Sequence, residues 1–206
     1  AGAGTGVVEA ENLLGADRVR NGDVVIAMTS SGLHSNGFSL ARHVLLGDKG
    51  FKLETHIDEL GRTLGEEMLE PTRIYTKACL ALASELKESL HTFSHVTGGG
   101  LAANLARVLP ENLAADLDRS TWQVPAIFNL IAAVGKVSQA DMEQTFNQGI
   151  GMFAVVAKDA ADKALSNLRN QGIDAFVCGN VRIRNENEKG DAAAKGGKGG
   201  AVFLTN

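Results

Sequence analysis

Apolar residues in this chain follow two rhythms, one of short β-branched runs and one of helical stripes. Residues 24–29 (VVIAMT) come directly after Asn21-Gly22-Asp23, a turn signal, and predict a strand buried on both faces. Phe38, Ala41, Val44 and Leu45 then recur at helical spacing. A second helix is expected near residues 60–69, stopping ahead of Pro71. A third is expected over 72–87, with Ile74, Ala78, Leu82 and Leu86 on one stripe. Residues 92–96 (TFSHV) read as a short strand, 101–109 as a helix running to Pro110, and 114–117 as a strand. The apolar face over 124–134 predicts a helix, with Pro125 tolerated in its first turn. Ser138 and Asp141 resemble a capping box that starts a short helix. Strands are expected at 151–157, 175–182 and 201–204, with a strongly patterned helix over 158–171. Residues 1–9 (AGAGTGVVE) read as a glycine-rich strand. This alternation predicts the α/β class, a mixed and mostly buried sheet layered with helices, formed by residues 10–206.

Composition changes that picture in one place. Residues 185–200 (NENEKGDAAAKGGKGG) have alanine as their only apolar type, too little to offset the entropy of ordering them. They are expected to be a flexible low-complexity loop, a hairpin connection from the strand at 181–183 to the terminal strand. Elsewhere the balance is that of one globular domain: 206 residues, 44% hydrophobic and 21% charged. A formal charge of −4 argues against nucleic acid or an anionic membrane surface as the main partner. No apolar run approaches the roughly 20 residues of a membrane span, and residues 1–9 lack the basic and apolar parts of a signal peptide. Cys79 and Cys178 lie far apart and form no CxxC motif, so free thiols in a reducing, cytoplasmic setting are expected. His91 and His95 are four apart on a strand rather than a helix, which does not suit a metal pair, and no metal site is expected.

The chemistry concentrates in short glycine clusters beside the strands. His95-Val96-Thr97-Gly98-Gly99-Gly100 sits between a strand and a helix. Its backbone N–H groups can face an anion, the helix start adds partial positive charge, and His95 can add a donor. The same residues also suit a tight turn with a satisfied histidine. Ser30–Gly37 repeats the design, with Ser31, His34 and Asn36 between a strand and a helix, or simply caps that helix. Phe146-Asn147-Gln148-Gly149-Ile150-Gly151-Met152 leads into a buried strand, where Asn147 and Gly149 either border a ligand or make a bulge. Together these loops suggest a phosphorylated ligand along one edge of the sheet.

SSGLHSNGFSL, EPTRIY, HVTGGG and FNQGIGM occur in this order. As an ordered set they resemble the C-terminal half of the phosphoribosylformylglycinamidine cyclo-ligase family, also called aminoimidazole ribonucleotide synthetase, over about residues 1–183. The resemblance implies the C-terminal domain type of that superfamily. It also implies ATP-dependent closure of a formylglycinamidine ribonucleotide to an aminoimidazole ribonucleotide in purine biosynthesis. By the same resemblance His95 would be catalytic. Ser31, His34, Asn36, Thr97, Gly98, Gly99, Gly100, Asn147 and Gly149 would line the substrate and phosphate site. ATP and Mg²⁺ would be held mainly by an N-terminal domain not present in this sequence, which in the full-length family forms the homodimer. Residues 1–9 would be that domain's last strand. A phosphate-ligand binding module and a non-catalytic scaffold domain remain the alternatives.

Overall fold

The computed structural model of this protein describes residues 3–47 and 50–206. Along the chain come β1 (Val24–Thr29), α1 (Phe38–Leu46), a small ladder of β2 (His56–Ile57) and β3 (Arg62–Thr63), α2 (Leu64–Met68) and α3 (Thr76–Leu86). These are followed by β4 (Leu90–His95), α4 (Gly100–Ala106), β5 (Leu113–Asp118), α5 (Ala126–Gly135), α6 (Gln139–Thr145), β6 (Ile150–Val156), α7 (Ala161–Asn170), β7 (Ala175–Ile183) and β8 (Ala201–Thr205). One mixed sheet runs in the order β4-β6-β1-β7-β5-β8. Its neighbours are antiparallel except β5 and β8, which are parallel.

The β-branched run in β1 is explained by burial on both faces. Val25 and Ala27 join Phe153, Val155 and the α4 residues Leu101 and Leu105 on one side. Val24, Ile26 and Met28 meet Ala78 and Leu82 of α3 and Ala164 and Leu168 of α7 on the other. Each fully buried side chain of this size contributes about 1.5–3 kcal/mol. A separate cluster gathers Ala41 and Leu45 of α1, Leu64 of α2, Ile127 and Ile131 of α5, and Phe146. Phe146 lies under Gly37, where a Cβ would come within 2.3 Å of its ring, so this cluster supports the loop after β1 from below.

Four expectations are corrected. Residues 3–9 form no strand and are exposed, while residues 1 and 2 lie outside the described residues. A strand needs a neighbour for its N–H and C=O groups, and residues 3–9 form no ladder with either edge strand, β4 or β8. The third helix starts at Thr76 rather than near 72, and Ile74 is 81% exposed. The backbone at 71–73 instead serves the loop after β1, through Pro71 C=O and Arg73 N–H, and so stays extended. The 60–69 segment is split into a 3-10 turn, the short β3 and α2, the last started by a Thr63–Glu66 capping box. Finally, β8 makes no hairpin with β7. The chain crosses β5 and adds β8 on its far side, pairing Ala114 with Ala201.

Residues 185–200 contain no helix or strand, yet their backbone is engaged. Asp191 N–H donates to Val202 C=O at 2.9 Å. The Arg182 guanidinium grips Asp116 at one end and Glu188 at the other, 2.7 Å from each. Ala192 and Ala194 pack on the core cluster around α4.

Candidate functional site

The antiparallel pairing of β6 with both β1 and β4 brings three loops together. The C-terminal ends of β1 and β4 and the N-terminal end of β6 fall at one end of adjacent strands. Ser30 N–H donates to Gly149 C=O at 2.8 Å, and Val96 N–H to Gly151 C=O at 3.0 Å, which ties the three together. The loops after β1 and β4 also face each other. A Cβ on Gly98 would stand 3.5 Å from Asn36 Oδ1.

The conformation of the glycine loop is set by Asn104, a fully buried residue of α4. Its Nδ2 donates to Gly100 C=O at 2.7 Å, Thr97 C=O at 3.0 Å and Gly98 C=O at 3.4 Å. Its Oδ1 accepts from Thr97 Oγ1 at 3.0 Å. A trans peptide directs its N–H opposite to its C=O. Drawing these carbonyls toward Asn104 therefore turns the intervening amides away from it. Gly98 and Gly99 N–H carry no hydrogen bond among the described residues, whereas Gly100 N–H returns to Thr97 C=O. Amides gathered in this way can present a concavity suited to an anion. Because α4 has only seven residues, the loop amides rather than a long helix dipole provide this polarity. Gly99 has φ +100° and Gly100 φ +69°, both in the region glycine favours. At Gly100 there is a second reason for glycine: a Cβ would lie 1.6 Å from Glu143 C=O, where α4 packs on the end of α6.

Two histidines and an arginine stand beside this loop. His34, with φ +57°, is 6% exposed. Its Nε2 accepts from Ser31 N–H at 3.1 Å and Arg73 N–H at 3.4 Å, so Nδ1 carries the proton, and Nδ1 is buried without a partner. Burial first, then the charges of His95 and Arg73, push the His34 pKa down to about 4, and the ring is neutral at pH 7. His95 ends β4 opposite Met152 and faces solvent. Desolvation and the nearby Arg107 hold its pKa below the ordinary histidine value. At the cleft His95 can offer a ring N–H as a hydrogen-bond donor to an oxygen placed there. Arg73 Nη1 donates to Thr29 Oγ1 at 2.6 Å and pairs with no carboxylate among the described residues.

Other expected site residues brace the loops. Ser31 Oγ donates to Pro71 C=O at 2.6 Å. Asn147 is buried, its Nδ2 donating to Gly32 and Leu33 C=O and its Oδ1 accepting from Gly149 N–H and Ser30 Oγ. A Cβ on Gly149 would press within 2.6 Å of Pro125 Cδ. The structure thus gathers all the expected residues at one place: His95 is exposed, Ser31, Asn36, Thr97, Gly98 and Gly99 are half-buried, and His34, Gly100, Asn147 and Gly149 are buried. Sequence reasoning missed Arg73 and Asn104. EPTRIY contained the signal for Arg73; nothing in the pattern around Asn104 distinguished it from an ordinary helical residue.

A cavity of about 320 Å³ lined by Trp122, Phe128 and Met142 contains none of these residues. Among the described residues no group of three or more His, Cys, Asp or Glu side chains could hold a metal ion. His91 occupies a bulge in β4 and pairs with Asp23 at 2.6 Å, away from His95. Cys79 and Cys178 are free thiols, and burial pushes both thiol pKa values up. No described helix is long and apolar enough to cross a membrane.

The fold is shared with a crystal structure of thiamine-monophosphate kinase from Stenotrophomonas maltophilia K279a (TM-score 0.54, 18% identity, covering 92% of this chain and 52% of that one). Residues 20–188 match the family model described as AIR synthase related protein, C-terminal domain, and the chain belongs to that family. It is 53% identical over 177 residues to a Streptomyces fradiae protein provisionally named phosphoribosylformylglycinamidine cyclo-ligase, covering 85% of this chain and 96% of that protein. It is 47% identical to the phosphoribosylformylglycinamidine cyclo-ligase of Sorangium cellulosum strain So ce56, covering 88% of this chain. In that second case the chain spans about half of its relative, 52%.

Proposed function

We propose that this chain is the substrate-cleft domain of an ATP-dependent cyclo-ligase that closes formylglycinamidine ribonucleotide to aminoimidazole ribonucleotide in cytoplasmic purine biosynthesis. The observation that carries this reading is the outward-facing, unbonded Gly98 and Gly99 amide pair beside His95 and Asn36. The names of the relatives supply the substrate and the ring closure, and the family resemblance implies the steps. In these the formyl amide oxygen takes the terminal phosphoryl group of ATP, releasing ADP. The amidine nitrogen then attacks the activated carbon, and the oxygen leaves as inorganic phosphate. Such chemistry depends on positioning and charge stabilisation.

In this reading His95 meets the amide oxygen, and Gly98 and Gly99 N–H donate to phosphate. Asn36 borders the substrate. Thr97 and Gly100 shape the glycine loop, while Ser31, His34, Asn147 and Gly149 fix the loops around it. Mg²⁺ accompanies ATP, but the donors described here do not fit a metal site, and no step of this chain's chemistry runs through one. The opposite wall, with the ATP groups and the homodimer contact, belongs to an N-terminal domain. Leu69 and Ile74, each 81% exposed and next to the segment that contacts Ser31 and His34, are apolar surface for it to cover.

The test is His95→Ala in the complete two-domain protein. Because His95 faces solvent, the melting temperature should stay within a degree or two, while kcat falls by about 10²-fold, the scale of one charge-stabilising donor. A normal kcat would remove His95 from the reaction. The near-complete match to a relative of similar length favours a second reading, a free-standing phosphate-ligand binding module. A native mass for the expressed protein near 21.6 kDa would support that one instead.

A further inference from the structure

We infer that residues 185–200 act as a strap that locks the glycine loop in its amide-outward form, with Lys195 as the positioning residue. This rests on the reading of that loop as a phosphate site.

The strap is built onto α4. The last carbonyls of a helix lack partners within it. Here Lys195 N–H takes Ala103 C=O at 3.0 Å, and Gly200 N–H takes Ala106 C=O at 3.0 Å. The thin composition suits so close a path: a Cβ on Gly199 would stand 2.2 Å from Ala106 C=O. With its backbone fixed beside α4, Lys195 extends back to the other end of the helix. There its Nζ donates to Thr97 Oγ1 and to Gly98 C=O, both at 2.9 Å. The contact to Gly98 C=O is shorter than the 3.4 Å one from Asn104 and comes from a charged donor, so it is the stronger hold on that peptide. Holding the Gly98 carbonyl holds the Gly99 N–H in the opposite direction. Lys195 forms no ion pair among the described residues, which leaves a positive charge against a loop whose amides face outward. That arrangement favours a phosphate over an uncharged ligand.

The test is a titration of the ¹⁵N-labelled chain with inorganic phosphate, following the Gly98 and Gly99 amide resonances, with melting temperatures in parallel. The unaltered protein should show saturable shifts at both glycines. Lys195→Met should weaken binding about tenfold or more, the scale of one lost charged hydrogen bond, with an unchanged melting temperature. Lys195→Arg should recover most of the affinity. If Lys195→Met binds within twofold of the unaltered protein, the strap inference is overturned and the phosphate reading stands. If both variants lose binding and melting temperature together, Lys195 is only a structural tie and the inference is likewise overturned. If the unaltered chain shows no saturable shift at either glycine, the phosphate reading fails, and the inference with it.

Discussion

His34 couples the cleft to pH. Folded, its imidazole titrates near pH 4; unfolded, near 6.5. Between those values the unfolded chain binds a proton that the folded chain does not, so stability must fall as pH drops through that window and stay level above it. His95, also shifted down, adds to the slope with the same sign. Urea unfolding at pH 7.5 should therefore give a higher midpoint than at pH 5. His34→Asn tolerates the left-handed backbone and should flatten the difference without abolishing it. An unchanged slope in that variant would show that His34 is protonated in the native state.

At the scale of elements, the junction between β4 and α4 separates two demands on glycine that look alike in sequence. Gly98 has only Asn36 Oδ1 near its missing Cβ, at 3.5 Å, whereas Gly100 would place one 1.6 Å from Glu143 C=O. Gly98→Ala should fold normally and lose phosphate affinity. Gly100→Ala should cost about 3 kcal/mol or more of stability, because backbone of α6 has to move. Thermal melts with phosphate titration read both, and equal destabilisation would erase the distinction. The same junction shows what the sequence could reveal. Strands and helices with strong periodicity were legible, β1 and α1 nearly to the residue, because local pattern and burial agree there. The grouping of the loop residues was legible too, since each motif followed or preceded a predicted strand. Three things were hidden because they are set by partners distant in sequence. Tyr75 takes the buried place assigned to Ile74 because its hydroxyl reaches Thr29 C=O. Asn104 looks like any helical asparagine until the loop carbonyls turn toward it. The segment at 185–200 gains its contacts from α4, which composition alone does not register.

For the whole molecule, the cleft is one-sided. Its free amides and His95 lie near exposed Leu69 and Ile74, with His34 buried behind them, and no cluster of metal-binding donors stands among the described residues. The isolated chain mixed with formylglycinamidine ribonucleotide and Mg-ATP should give no product above background, and turnover should appear only with the second domain. Robust turnover by the chain alone would mean that the ATP groups are here after all.

The parallel docking of β8 against β5 has a further consequence, in the exchange of backbone hydrogens with solvent. β8 is an edge strand with a single neighbour, and such strands open before the sheet interior does. When Val202 and Leu204 leave the core, Gly200 and Lys195 lose their anchorage, and the glycine loop is released with them. Opening of the far edge and loss of anion affinity are then one event, and linkage makes the effect reciprocal. Phosphate bound at Gly98 and Gly99 should slow deuterium uptake at β8, although no hydrogen bond joins β8 to the loop among the described residues, and should leave β7 unchanged. The free energy of opening should rise with phosphate concentration as RT ln(1 + [L]/Kd), which slows uptake by the factor 1 + [L]/Kd, and the slowing at a given phosphate concentration should be much smaller in Lys195→Met. Equal protection of β7 and β8 would instead mean that the sheet opens as a single unit, with no separate step at its edge.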